Sequence, residues 1–366
     1  MPIIVPTRVD IAIIGAGIAG AAAALTLAGR GRSVIMVAPA SKESPRTGES
    51  LSPAAHGLLR DLGLTEAFQA GPHRPSHATY AAWGMALLAQ RNSIIHTEGP
   101  GHVIDRRAFE RMLGEAVSAQ GMETVPDTLA DATRAGDGWS LTLSGGARVE
   151  AGFVLDCSGR AAVFARRVAR RRRADRLVAA YDFVTQHDET VEPTPATLIE
   201  GVAGGWWYAT LLPDRRLSLA FFTDPDLMPR EVTREAGAWR TLAAETHFIQ
   251  RWLDSAGYAI REPARLTSAG TAWLDPATGP GWAAAGDAAA AFDPLSSHGL
   301  TSALWGGRQA ALAALASLGG DPGPLRRYAA TLESAVRNFV VQRQAVYSQE
   351  RRFRGQLFWK RRAAPP

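Results

Sequence analysis

The stretch RVDIAIIGAGIAG, residues 8–20, constrains this chain more than any other. A short apolar run with strand-forming residues enters a turn with three glycines, Gly15, Gly17 and Gly20, and then an alanine-rich segment. The first glycine suits a tight turn, the second lets a ligand approach the backbone, and the third lets a helix pack closely on the strand. The helix start then presents free N–H groups and the positive end of its dipole to an anion. IAGAAAALTLAGRG reads as that helix, ended by Gly31, and RSVIMVAP as a second strand. A strand–helix–strand unit of this kind closes by a right-handed parallel crossover, so an α/β fold is expected. Gly15, Gly17, Ala19 and Gly20 are the residues expected to line a dinucleotide. One usual part is missing. The second strand ends in Ala38 and Pro39 rather than in an acid that would hold the ribose. That task falls to backbone, Ser41 or Arg46.

The rest of the chain alternates between two patterns. RAFERMLGEAVSAQG spaces Phe109, Met112, Leu113, Ala116 and Val117 along one helix face. WSLTLSGGARVEAGFVLDCSG reads as a hairpin around Gly145 and Gly146, followed by a buried strand ending at Asp156. From about 177 to 274, segments such as RLSLAFFTD, GGWWYATLLP and LVAAYDFVT alternate like antiparallel strands. GWAAAGDA then returns to a buried strand, and GLTSALWGGRQAALAALASLGG to a long small-residue helix. The expected architecture is a discontinuous Rossmann-like nucleotide domain (1–75, 100–176 and 275–325). An antiparallel β-sheet substrate domain (76–99 and 177–274) is inserted in it, and a helical, basic tail covers 326–366.

With 366 residues, 46% of them apolar, the chain can bury a large core. No run is long and apolar enough to span a bilayer. The first apolar run has no basic stretch before it and no cleavage site after it, so it reads as fold rather than leader. The single cysteine, Cys157, excludes an internal disulfide framework and suits a reducing cytoplasm. Net charge is +5, and Lys42 and Lys360 are the only lysines among 40 basic residues. Arginine concentrates in RRVARRRRADR (166–176) and ERRFRGQLFWKRR (350–362). No nucleic-acid fold signature accompanies these blocks, so neither nucleic acid nor membrane is an expected partner. A solvated face and a docking surface for an acidic protein both remain open.

GDAAAAFDPLSSHGL, residues 286–300, places an Asp after a Gly, a proline and three polar residues ahead of a helix. Together with GAGIAG, this stretch resembles the FAD-dependent aromatic hydroxylase and halogenase clan, and the resemblance runs from residue 9 to about 315. It implies FAD as cofactor, with Gly286 and Asp287 at the ribityl chain. Pro294, Ser296, Ser297, His298, Gly299 and Leu300 would wrap the flavin ring, and the helix dipole would favour the anionic reduced flavin. Read as residues alone, Ser296 or Ser297 could equally be an N-cap. DRRAFERML resembles the family helix that touches FAD, implicating Arg106. VLDCSGR resembles its pyrophosphate-side strand end, implicating Asp156 and Gly159; Asp156 could also cap the next turn.

TGESLSPAAHGLLRDLGL looks like the Gly-Glu-Ser/Ala-x-x-Pro stretch of tryptophan halogenases and of flavoproteins that mature tryptophylquinone cofactors, placing Glu49 and Ser50 beside FAD. GWWYATLLP, LAFFTD and the C-terminal segment resemble the maturation group in particular. That resemblance implies hydroxylation of an aromatic ring, with a Trp of a peptide or partner protein as one candidate substrate, through a flavin C4a-hydroperoxide. An external reductant or reductase would supply the electrons. Trp206, Trp207, Tyr208, Phe221 and Phe222 are candidates to line the ring pocket or to be plain sheet core. His298 is the candidate proton carrier and Glu49 the candidate orienting acid. Family halogenases carry a Glu in the loop that here reads PLSSHG, where Ser296 stands in its place, and no Lys occurs between 43 and 359. The rival readings are a prenyl-reductase-type dehydrogenase, a halogenase and a non-catalytic flavin-containing maturation factor.

Overall fold

The computed structural model describes residues 7–40, 47–76, 78–92 and 99–363. Its nucleotide-side sheet runs, in order, Thr278–Gly279, Trp282–Ala284, Arg148–Asp156, Arg8–Ile14, Val34–Ala38 and Thr124–Pro126, with a hairpin of Leu129–Ala135 and Gly138–Leu143 on one side. The strands Trp282–Ala284, Arg148–Asp156, Arg8–Ile14, Val34–Ala38 and Thr124–Pro126 pair in parallel. Such a strand is covered on both faces, which explains the unbroken apolar reading of DIAII. Ile11 and Ile13 enter the core beneath the helices, while Ala12 and Ile14 enter a second core on the opposite face.

The helix Ile18–Leu27 is buried at nine of its ten positions. It is sandwiched between the sheet and the helix Gly299–Leu318, and small residues make that possible. A Cβ added at Gly307 would come within 2.1 Å of the Ala19 carbonyl oxygen. The helix stops at Leu27, earlier than its sequence suggested; Gly29 and Gly31, both at positive φ, form the exit turn instead.

The inserted sheet has seven strands in the order Arg265–Ser268, Val178–Val184, Leu217–Thr223, Gly205–Leu211, Thr197–Val202, Ala78–Ala82 and Ala89–Asn92. All pairs are antiparallel except Thr197–Val202 with Ala78–Ala82, which is parallel. Successive residues of a strand point to opposite faces. On the outer face Trp207 stacks on Trp239 of the helix Ala236–Ala244 at 4.7 Å between ring centres, and Phe221 packs beside Trp207. Glu200 is buried there because its carboxylate accepts the N–H groups of His247, Phe248 and Ile249 at 2.7–3.0 Å, capping the helix Phe248–Ser255.

The inner face lies in rows fixed by register. One row carries hydroxyls on four adjacent strands, Ser218, Thr210, Thr197 and Thr79. The next holds Tyr181, Ala220, Tyr208 and Ile199, and the one after it Ala179, Phe222 and Trp206. The helices Gly323–Ser348 and Leu357–Ala363 close over the last row. The segment expected to be a basic tail is therefore partly core. Phe358, Trp359 and Arg362 are buried, Arg362 pairs with Asp224 at 2.6 Å, and Trp359 Nε1 donates to the Val202 carbonyl.

Candidate functional site

The early glycine turn and the late Gly-Asp segment meet. A Cβ at Gly286 would lie 3.0 Å from the Ala19 Cβ, although 267 residues separate them in sequence. Gly15 has φ of +107°, and a Cβ there would sit 2.5 Å from the Cys157 carbonyl oxygen, so no other residue fits this turn. Cys157 itself lies sealed beneath the turn, and burial pushes its thiol far above the ordinary range, leaving it inert. Gly17 differs: a Cβ there meets nothing within 4 Å, and the same holds at Gly159 and Gly299. These three glycines border open space, where an extended ligand can lie along the backbone. The helix starting at Ile18 has no side-chain cap and no acid in its first turn, so its N–H groups and dipole stay available to phosphate.

Asp287, 40% exposed, lies 3.5 Å from Arg160, with Arg106 and Arg171 also near enough to hold its charge against the burial that raises its carboxyl. Arg160 is anchored by the carbonyls of Gly270 and Phe292, and its own carbonyl accepts from Arg171. Arg106 pairs with Glu110 at 2.9 Å and donates to the Gly48 carbonyl at 3.2 Å. Three guanidinium groups thus act on the Asp287 carboxylate, Arg160 by direct approach. Asp156 plays a different part from the one first expected. It is fully buried, and its oxygens accept from Ser158, Phe164 and Ala165, so it shapes the turn and leaves nothing for a phosphate. Ala19 likewise packs, against Gly286 and Gly307. Arg46 and Ser41 lie outside the described residues.

Glu49 and Ser50 come to the other side of the same space. Glu49 is buried, Ser218 donates to its carboxylate at 3.1 Å, and burial raises its carboxyl above the ordinary glutamate range. The same carboxyl adds to the rise of the Tyr208 phenol, whose own burial is the larger cause. Ser50 pairs with Val103 across a small sheet, and Ser52 Oγ lies 2.9 Å from Thr301 Oγ1 in the first turn of the helix Gly299–Leu318. That helix carries no side-chain cap: His298 precedes it, exposed, and Ser297 adopts φ of +52°. Neither Ser296 nor Ser297 caps the helix; Ser296 Oγ accepts from His298 N at 3.3 Å. Leu300, at the start of the helix, is buried. The loop is held from behind by Asp293, which caps Leu295, pairs with Arg343 at 3.1 Å and accepts from the Tyr347 hydroxyl at 2.8 Å. Pro294 follows it, and Leu295 packs on the inner face of the inserted sheet.

Trp206, Tyr208 and Phe222 face this side, with Tyr208 half-buried. Trp207 and Phe221 do not; they belong to the outer core, because adjacent residues of a strand cannot share a face. Arg160, Ser52, Ser218 and Asp293 were missed in the sequence. Arg160 directly follows Gly159, and an Asp before Pro294 is a turn-cap signal, so two of the four were open to detection. The open glycines, uncapped helix starts and Arg-ringed Asp287 fit an FAD molecule in its extended form.

Comparison with known proteins agrees. The tryptophan halogenase family model matches residues 77–365. A protein described as an FAD-dependent oxidoreductase, LodB of Marinomonas mediterranea, is 26% identical over 365 residues, covering 97% of both chains. A pyrrole-2-carbonyl carrier-protein brominase of Pseudoalteromonas luteoviolacea is 25% identical, covering 85% of this chain and 78% of its own. Among solved structures, the myxobacterial chondrochloren halogenase CndH superposes with a TM-score of 0.85 at 22% identity, covering 98% of this chain and 86% of its own. The peptidyl tryptophan dihydroxylase QhpG superposes at 0.75 and 24%, covering 98% and 79%. The chain belongs to the tryptophan halogenase family and is an FAD-dependent oxidoreductase.

Proposed function

We propose that this enzyme hydroxylates an electron-rich aromatic ring, a Trp of a peptide or partner protein being the preferred substrate. The carrying observation is the inner sheet face: half-buried Tyr181, Tyr208 and Ile199 flank Ala220, Glu49 stands at one side, and Leu295 of the flavin loop packs on it. A flat apolar ring fits such a surface and, once seated, would itself cover the half-buried tyrosines from water.

In this reading Gly15, Gly17, Gly159, Asp287 and the residues at the start of the helix Gly299–Leu318 would hold FAD, which would supply the oxygen-activating chemistry. One atom of O2 enters a ring C–H bond and the other leaves as water, with two electrons from an external reductant or reductase. The protein's part is to hold the ring and to handle protons. Arg160, Arg106 and the uncapped helix Ile18–Leu27 hold negative charge. Exposed His298 stands at the start of the helix Gly299–Leu318, open to solvent, and Glu49, its carboxyl raised by burial and accepting from Ser218, orients groups at the edge of the sheet.

Ser296 stands where family halogenases carry their Glu, and among the described residues the only lysine is Lys360, on the helix Leu357–Ala363. Both features favour hydroxylation. Halogenation is the second reading, favoured by the family match and by the CndH superposition. The deciding experiment incubates reduced enzyme, O2, chloride and bromide with a Trp-containing client, then reads product mass. Gain of one or two oxygen atoms on Trp supports hydroxylation. Gain of halogen establishes the second reading, and an unchanged client with released H2O2 defeats both.

A further inference from the structure

The two arginine blocks of the sequence, about 190 residues apart, come together in space. They meet at a cavity of about 500 Å³ lined by Asp175, Arg176, Asp224, Asp226, Arg343, Arg361 and Arg362, outside the glycine cradle. We infer that this cavity is a carboxylate-binding anchor for an acidic polypeptide, the client that brings its ring to the neighbouring cleft. The inference deepens the hydroxylase reading by giving the client's surface chemistry, but its binding arm requires no turnover.

Charge and donor geometry carry it. Residues 326–366 hold ten Arg and Lys against two Glu, more excess charge than the whole chain's +5, so the rest of the chain taken together is net acidic although residues 166–176 are basic. Within the cavity the three Asp are already engaged: Asp224 with Arg361 and Arg362 at 2.9 and 2.6 Å, Asp226 with Arg361 at 2.8 Å, Asp175 with Arg343 at 2.8 Å. Arg361 is itself held in a fork between two aspartates, which raises its already high affinity for a proton. One guanidinium remains open to a ligand. Arg176 is exposed and has no hydrogen-bond or ion partner among the described residues. Arg362, 5% exposed and committed to Asp224, lines the same cavity and adds its positive charge to the wall. A carboxylate entering beside Arg176 makes charge-assisted, fork-type bonds with its guanidinium. Lys360, exposed, precedes Arg361 and Arg362 on the same short helix and adds to its charge.

The site is also wired to the flavin loop. Arg343, on the cavity wall, pairs with Asp293, which caps the turn Pro294–Ser296 and receives the Tyr347 hydroxyl. A client carboxylate at the rim therefore sits one ion pair from the loop against which the flavin ring would lie.

The test measures binding of a fluorescently labelled, Trp-containing peptide flanked by glutamates to FAD-loaded enzyme by anisotropy. Its controls are the same peptide with glutamines and a single-stranded oligonucleotide of equal charge. Arg176→Glu and Lys360→Glu alter exposed side chains, and unchanged thermal melts will show that both variants fold. The Glu peptide is expected to bind at least about tenfold tighter than the Gln peptide in low salt, and Arg176→Glu to weaken it by about tenfold. Binding should fall steeply as salt shortens the screening length towards about 8 Å. Equal affinity for Glu and Gln peptides, indifference to Arg176→Glu, or binding of the oligonucleotide as tight as the Glu peptide would overturn the proposal. Failure of ring oxidation with intact peptide binding would fault the reaction assigned above and leave the anchor standing.

Discussion

The two faces of the inserted sheet are made from the same strands, yet they do opposite jobs. The outer face is closed: Trp207, Phe221 and Leu219 are all sealed beneath the helices Ala236–Ala244, which contributes Trp239, and Phe248–Ser255. The inner face mixes hydroxyls, half-buried tyrosines and a buried Glu49, and is only partly covered. Trp206 and Trp207 are neighbours in sequence on opposite faces: Trp206 Nε1 donates to the Tyr347 hydroxyl at 3.0 Å, whereas Trp207 Nε1 is buried with no hydrogen-bond partner among the described residues. The outer face supplies stability; the inner face gives part of it up to keep polar groups and room for a ligand.

Mutations on the two faces should separate these roles. The largest effect is expected from Trp207→Ala, a fully buried outer residue, which should lower unfolding free energy by about 3–5 kcal/mol. Urea denaturation checks it, and any molecules still folded should keep an unaltered flavin spectrum. Asp287→Ala should do the reverse: thermal stability of the flavin-free protein barely moves, while FAD binding weakens by about 1.5–3 kcal/mol. Flavin retained after gel filtration is the readout, and normal retention would remove Asp287 from the cofactor site.

Glu49→Gln sharpens the comparison through pH. Burial raises the Glu49 carboxyl in the folded state, so the native protein binds its proton more tightly than the unfolded chain does. Stability from this group is therefore greatest below the ordinary glutamate value and declines as pH rises through the raised one. The Gln variant should lack that decline and gain on the parent as pH increases, measured by melts across the acid-to-neutral range. A parallel pair of curves would show that Glu49 is ionised in the fold. The smallest effect belongs to Tyr208→Phe, which removes a hydroxyl from the inner-face row next to the Thr197–Thr210 pair. A loss of about 1 kcal/mol is expected, with a change in KM for the ring substrate exceeding that for a matching change on the outer face.

How much of this was legible in the sequence depends on how far each feature reaches along the chain. The glycine turn, the strand into it and the helix Arg106–Ala119 are local, and local spacing reveals them. The period-2 rule requires Trp206 and Trp207 to part company, but which one meets the flavin loop depends on helices some 30 to 150 residues away. Asp156 sits in a strand-end motif that serves equally for capping, and only its four hydrogen bonds decide between the two. The contact between Gly286 and Ala19 has no local signature at all; the resemblance to flavoproteins alone pointed to it. The basic blocks were visible as charge, but their meeting at one cavity was not.

The packing of Gly307 on the Ala19 carbonyl has a kinetic consequence. The nucleotide cradle cannot close until a segment almost 290 residues downstream has arrived, with every strand of the inserted sheet lying between the two along the chain. Contacts of such sequence separation make folding slow and leave half-made cores exposed meanwhile. Yellow colour in a preparation would then report the last assembly step, and lesions deep in the insert would surface as pale, aggregation-prone protein.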